Sequence, residues 1–448
     1  MKYIERKFAS SEAIDKHVFI HNFLSQFGNK VSKYNLYKKG DGWHLGIGSI
    51  YEIELNHKGE LLLSGENLRR SYSSLPPSLA ISKALSELEL SEWCAYGTAN
   101  FEYSYLAHEI AFPDEGQFDP IVLSLIIPQI NLEIHDHEIR MKYIAGDIST
   151  EIMQYIEDRI DEKGMPLEFS SLGIESLLLN SMDKENYQNL VSAAIKKISE
   201  GEFLKVILSR RVFIDEVVDP IKTFFMGLQF NAPARSFLFK NSSTICGGFS
   251  PETVVEINST GDVSTQPLAG TRSLGLNDDH ERYLKNDLLS NTKEIAEHAM
   301  SVKLSTQEME SCCVPETVMV SEFMNVIRRG SVQHLASRVV GKKKDNISNW
   351  DVFSVLFPAV TASGISKKQA LQFIKENESS RGLYSGAYLF LDSNDNFDAA
   401  LVLRSFYQYD NKFWLQAGAG IIGESRPERE FEETCEKLNS LSKYIVRA

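Results

Sequence analysis

The chain has 448 residues, 43% of them hydrophobic and 24% charged, with a formal net charge of −14. Such a chain can bury a large core, and its acidic balance disfavours nucleic acid or an anionic membrane as the main partner. No stretch stays apolar long enough to span a bilayer, no signal-peptide core follows Met1, and five cysteines without a CxxC pair point to free thiols in the cytoplasm.

Residues 18–145 read mostly as strands joined by tight turns. Segments 43–48 and 50–55 look like a pair of neighbouring strands, and 130–143 alternates as a hairpin turning near Asp136. His135 and His137 sit at that turn with no cysteine or further histidine nearby, which fits a solvated turn better than a metal site. Nothing in this half carries a recognisable chemistry. Residues 146–190 read as helix and loops, with a connector over 171–182, and a helix over 186–199 stops at Gly201. A short apolar strand, 203–210, follows with Lys205 near its start. A lysine there is ordinarily a surface residue with a snorkelling stem; if it is buried, desolvation favours the neutral amine, which can act as a base.

Strands at 235–240 and 244–249 lead to Pro251 and Glu252, a carboxylate set rigidly just past a strand end. A hairpin of 254–258 and 262–265, turning on Gly261, delivers Gln266-Pro267-Leu268-Ala269-Gly270-Thr271-Arg272. Gly270 permits close backbone approach, its N–H and that of Thr271 are available to an anion, and Arg272 adds a cation. On these residues alone an ordinary strand-to-helix turn is the simpler reading. Residues 278–310 contain no Gly or Pro and read as one long helical run, with Glu294 and Glu297 on one face. Helices at 350–356 and 367–377 flank a bent segment, 357–365. A meander of strands at 386–392, 397–407 and 412–417 comes next, with Arg404 ending an apolar run. Gly418 to Gly423 is formally GxGxxG, but too little chain remains for a dinucleotide-binding unit. The last helix opens with an expected capping box, Ser425 with Glu428, and carries Glu430, Glu433 and Lys437 on one face.

Two helices thus each carry a carboxylate pair at a spacing of three. Hard oxygen donors with waters suit Mg²⁺ rather than zinc. Lys205, Arg404 and Lys437 are candidates for a local anion site. Together with Glu252 these are the parts of a metal-assisted acid–base enzyme acting on a small carboxylate. The plain alternative for each charged helix face is a solvated surface.

The motifs FLKVILSRR, GGFSPE, PLAGTR, NTKEIAEH, GSVQH, RGLYSGA, AALVLRS, AGAGII and PEREFEETCEKL run in that order through residues 186–448. In them the chain resembles the chorismate-utilising enzymes, and most closely their salicylate synthase branch. The segment Thr361-Ala362-Ser363-Gly364-Ile365 is similar to that branch, although Ser366 stands where proline is usual. The resemblance implies an α+β fold with β-sheets packed face to face, helices outside and a deep central cleft. It implies one domain over 1–448, of which 1–185 carries no catalytic motif. It implies Mg²⁺ held by Glu297 and Glu433 directly and by Glu294 and Glu430 through water. Lys205 would activate water for attack at C2 of chorismate, and Glu252 would protonate the departing C4 hydroxyl. Gly270, Thr271, His334, Thr361, Tyr384, Arg404, Gly418, Gly420 and Lys437 would hold the substrate. Isochorismate would then lose pyruvate to leave salicylate, a siderophore precursor. An isochorismate synthase that stops after the first step, and a chorismate-binding protein without turnover, are the alternatives. Oligomeric state is not legible, with a monomer the default expectation.

Overall fold

In the strand Lys33–Lys39, Tyr34 and Leu36 point to one buried layer and Tyr37 to another, the period-two signature of a sheet covered on both faces. The computed structural model, which describes residues 2–448 except 115, 117, 163, 164, 175–181, 276 and 331, builds two large antiparallel sheets from such strands. Most of the connector expected at 171–182 lies outside the described residues.

The first sheet has eleven strands. In spatial order they are Ile4–Ala9, Glu138–Tyr143, Ile130–Ile134, Gly42–Ile47, Lys33–Lys39, Arg235–Asn241, Thr244–Ser250, Ser405–Tyr409, Lys412–Ile421, Lys205–Ile214 and Gly364–Ile365. The second runs Leu268–Ser273, Val332–Lys342, Asp262–Thr265, Thr253–Ile257, Phe397–Leu401, Ala387–Asp392, Cys94–Ala99, Ile121–Ile127, Tyr51–Asn56, Leu61–Gly65 and Leu68–Tyr72. The strand Met319–Arg329 pairs with Val332–Lys342 off this path. Between the sheets lies an aromatic layer in which Phe237 stacks on Tyr388 at 4.7 Å and Tyr37 on Phe390 at 5.3 Å. Helices Lys16–Phe27 and Pro220–Phe230 cover the far face of the first sheet. Pro77–Ser86, Thr292–Cys312 and Asn349–Leu356 cover that of the second. The expected α+β architecture, sheets face to face with helices outside, is the one observed. Both sheets draw on both halves of the chain: Lys33–Lys39 pairs with Arg235–Asn241, and Cys94–Ala99 with Ala387–Asp392.

Two expectations are corrected here. The strands near 43–48 and 50–55 do not pair; Gly42–Ile47 joins the first sheet and Tyr51–Asn56 the second. Gly48, at φ +65°, turns the chain from one layer to the other. The expected strand 397–407 is likewise two strands in different sheets, Phe397–Leu401 and Ser405–Tyr409, with the chain crossing between them at residues 402–404. Local alternation does not reveal which sheet a strand joins.

One buried ion pair ties the sheets together. Asp398, from the second sheet, accepts hydrogen bonds from Arg235 Nε at 3.0 Å and Nη2 at 2.8 Å and from Tyr37 Oη at 2.8 Å, all from the first sheet. Burial raises the Asp398 pKa, but Arg235 and Lys39 more than offset it, so the carboxyl titrates below its ordinary value. The folded protein therefore holds that proton more weakly than the unfolded chain. The resulting stabilisation is full above the ordinary aspartate range, near ~3.9, and is lost as pH falls through the lower folded value. Asp398→Asn should cost about 3 kcal/mol in urea unfolding at neutral pH, the scale for breaking a buried pair. Its difference from the native protein should shrink as the acid range is entered, and a pH-independent difference would assign the loss to packing instead.

Candidate functional site

Lys205 opens its strand fully buried, 3% exposed, while Leu204 beside it is 59% exposed. The snorkelling reading therefore does not hold. A Cβ at Gly420, on the neighbouring strand, would meet Lys205 Cε at 3.1 Å, so glycine there leaves room for the lysine stem. Lys205 Nζ lies 3.6 Å from Glu297 Oε2.

Glu297 and Glu294 are presented by the helix Thr292–Cys312. The run expected to be one helix breaks at Asn291, which ends Asp278–Ser290 and caps the next helix by accepting the Glu294 N–H. Glu430 and Glu433 come from Pro427–Ser442. The expected Ser425–Glu428 capping box is absent: Arg426 is the cap residue, and the Ser425 hydroxyl instead accepts the Ile422 N–H at 3.1 Å. Lys293, which no sequence motif singles out, spans the two helices at 3.9 Å from Glu297 Oε1 and 3.8 Å from Glu430 Oε1. Burial chiefly, with repulsion from Glu294 and Glu433, raises the pKa of Glu297, and burial with repulsion from Glu433 raises that of Glu430. Burial also acts on Glu433, but Lys437 and other cations outweigh it and hold that carboxyl below its ordinary value. Among the described residues no three His, Cys, Asp or Glu side chains close into a ready-made metal cage.

Glu252, 3% exposed, is pushed up to about 8 by burial, against the opposing pull of the Thr361 hydroxyl, the Leu268 N–H and Lys205. Thr361 Oγ1 donates to its Oε1 at 2.5 Å. It is therefore a neutral acid at pH 7.

The stretch around Gly270 is a strand, Leu268–Ser273, not the expected turn, and its register breaks between Ala269 and Thr271. Gly270 has φ +74°, and a Cβ on it would lie 3.0 Å from Glu294 Oε2, so the position requires glycine. Arg272 is not a free cation: Asp287 holds it at 2.7 Å and Glu294 at 2.8 Å. Thr271 Oγ1 lies 3.0 Å from His334 Nδ1, and Arg404 Nη2 donates to His334 Nε2 at 2.7 Å. An arginine can only donate, so Nε2 accepts, Nδ1 carries the proton and His334 is neutral. Burial and the Arg404 charge keep its pKa well below the usual value, in agreement. Arg404 itself sits at φ +50° where the chain crosses between sheets. Its Nη1 donates to the Arg329 carbonyl at 3.0 Å. Among the described residues neither Arg404 nor Arg329 pairs with a carboxylate, and Arg329 is a second cation the sequence did not flag. Tyr384, buried, reaches the same region: a Cβ at Gly418 would lie 2.9 Å from its Oη. Lys437 Nζ donates to the Gly418 carbonyl at 2.8 Å and pairs with Glu433 at 2.9 Å.

The fold thus gathers a carboxylate cluster with lysines, a neutral buried acid, and two arginines that pair with no carboxylate among the described residues. The chain is similar to known proteins in sequence and in fold. A family model described as chorismate binding enzyme matches residues 31–443. The chain is 37% identical over 418 residues to a salicylate synthase of Mycolicibacterium paratuberculosis, covering 92% of this chain and 90% of that protein. It is 34% identical to anthranilate synthase component 1 of Aquifex aeolicus over 59% of this chain and 54% of that protein. In structure it is similar to anthranilate synthase component I from Streptococcus pneumoniae, with TM-score 0.73 at 23% identity over 90% and 92% of the two chains. It is also similar to the menaquinone-specific isochorismate synthase from Escherichia coli, with TM-score 0.70 at 20% identity over 99% and 94%. The chain belongs to the chorismate-binding enzyme family.

Proposed function

We propose that this protein converts chorismate to isochorismate and then to salicylate and pyruvate, in one Mg²⁺-dependent site. The observation that carries the reading is the pairing of a buried amine, Lys205, with a neutral buried acid, Glu252, in one constellation beside a carboxylate cluster. Binding alone would need neither. The identity to a protein named salicylate synthase supports the two-step form.

The donor set fits the metal. Glu297, Glu430 and Glu433 crowd like charges across two helices, and lysines partly neutralise them. Glu297 and Glu433 would bind Mg²⁺ directly, with Glu294 and Glu430 acting through water. The ion supplies positive charge for a substrate carboxylate when bound. Arg404, Tyr384, Lys437 and the backbone at Gly418 would orient the carboxylates. Lys205 would take a proton from the water that attacks C2. Glu252 would give its proton to the C4 hydroxyl, which leaves as water. Pyruvate loss can follow by cyclic transfer of the C2 hydrogen to the enolpyruvyl carbon, a step that needs the substrate held in a reactive shape but no base.

Chelation should abolish turnover and Mg²⁺ should restore it. Glu297→Gln and Glu433→Gln should each abolish Mg²⁺-dependent activity, since each removes a charged oxygen from a weakly held ion. Full activity of either variant at limiting Mg²⁺ would place the ion elsewhere.

Glu252→Gln should still bind chorismate, by calorimetry, and lose at least ~100-fold in kcat. In the native protein kcat/KM should fall as pH rises through about 8, where Glu252 of the free enzyme ionises, and the variant's residual kcat/KM should lack that limb. Lost binding with unchanged turnover per bound complex would make Glu252 a binding group.

Lys205→Ala should fail with chorismate yet still form some salicylate from supplied isochorismate. Equal loss of both steps, in a folded variant that binds Mg²⁺, would reduce Lys205 to substrate positioning. Native protein that accumulates isochorismate and releases no pyruvate would be an isochorismate synthase.

A further inference from the structure

Glu252 has a second charged neighbourhood that the proposed chemistry does not use. It lines a small cavity together with Thr265, Ser305 and Glu308. The cavity offers a water molecule's centre about 10 Å³, which is room for about one water, and its lining supplies the polar partners a buried water needs. Glu308 lies on the same helix as Glu297 and pairs with Lys367 at 2.6 Å. Lys367 Nζ also lies 3.3 Å from the Leu356 carbonyl. The pair is mostly buried, with side chains 14% and 7% exposed. The Glu308 side chain thus keeps a small exposed fraction and borders the cavity of Glu252.

We propose that Glu308 is a proton-relay residue that recharges Glu252 between turnovers through one water in this cavity. The inference rests on the reading of Glu252 as the acid of the first step. Each turnover breaks the Glu252 O–H bond as the C4 hydroxyl departs as water. The carboxylate left behind takes a proton from the cavity water, that water takes one from Glu308, and Glu308 regains one from bulk solvent. The proton collected by Lys205 leaves to solvent, so the cycle is neutral and consumes no co-reactant. The route is useful because Glu252 is 3% exposed and a bound substrate would cover it further, while the Glu308 side chain keeps 14% exposure. Burial raises the Glu308 pKa against the pull of Lys367, which suits a group that must hold a proton in passing.

The test separates the first turnover from the later ones. Glu252 starts protonated at pH 7, so loss of the relay leaves the first turnover intact. The double variant Glu308→Gln/Lys367→Met removes the relay without stranding the lysine charge. Rapid mixing with chorismate and Mg²⁺ should give one isochorismate or salicylate per site at the native rate, then a steady state slower by roughly tenfold or more, with KM unchanged. Glu308→Asp, which keeps the carboxyl, should recover part of the steady rate. First and later turnovers slowed equally, or neither slowed, would overturn the relay. Native protein that leaves chorismate intact would overturn the functional reading, and the relay with it.

Discussion

The site is governed by charges that burial penalises and that the protein itself does not fully pair. Glu297 and Glu430 face each other's helix close to Glu433, while Arg404 and Arg329 are half-buried and, among the described residues, pair with no carboxylate. Each of these is costly in isolation, because a buried charge lacks the hydration it has in water. The two costs have opposite signs and separate places, and a ligand bearing carboxylates, bound with a divalent cation, would relieve both. An arrangement of this kind is stable enough to fold only if the surrounding framework is rigid. The aromatic layer between the sheets and the Arg235–Asp398 pair supply that rigidity.

The backbone enforces the separation. Arg404 is delivered at the point where the chain leaves the second sheet for the first, in a left-handed conformation that a non-glycine residue adopts only when its surroundings fix it. At the carboxylate end, Asn291 breaks the long acidic run so that Glu294 falls in the first turn of a new helix. Gly270 then approaches Glu294 more closely than any side chain would allow. Charge placement here is a consequence of chain crossings and helix starts more than of side-chain reach.

This is also why the sequence was readable for some features and opaque for others. Helix boundaries set by local signals were legible: residues 367–377 were expected and observed as one helix. The hairpin turning on Gly261 was legible for the same reason. The carboxylate pairs were visible at a spacing of three, but their facing each other across two helices was visible only through the family resemblance. What local pattern cannot carry is which sheet a strand joins, as with Gly42–Ile47 and Tyr51–Asn56. Nor can it say that Arg272 is spent on Asp287 and Glu294 while Arg329 is not. Lys293 and Glu308 were invisible for a related reason. A charged residue on a charged helix looks solvated until the packing that buries its partner is known.

On the proposed reading, one geometry has to serve two steps that make different demands. Hydration needs a base and an acid placed apart, as Lys205, at the start of a strand of the first sheet, and Glu252, in the link between a strand of the first sheet and one of the second, are. Pyruvate loss needs neither, only a ring and side chain held so that hydrogen can pass between two carbons. The groups that separate a one-step from a two-step enzyme are therefore those that shape the enolpyruvyl arm, not those that titrate. Thr361 stands at that junction. Its hydroxyl is committed to Glu252 at 2.5 Å, and the segment it begins feeds directly into Gly364–Ile365, which pairs with Lys205 itself. A change in this short segment would move the acid and the base together, so the partition between isochorismate and salicylate depends on backbone placement that no single ionisable residue encodes.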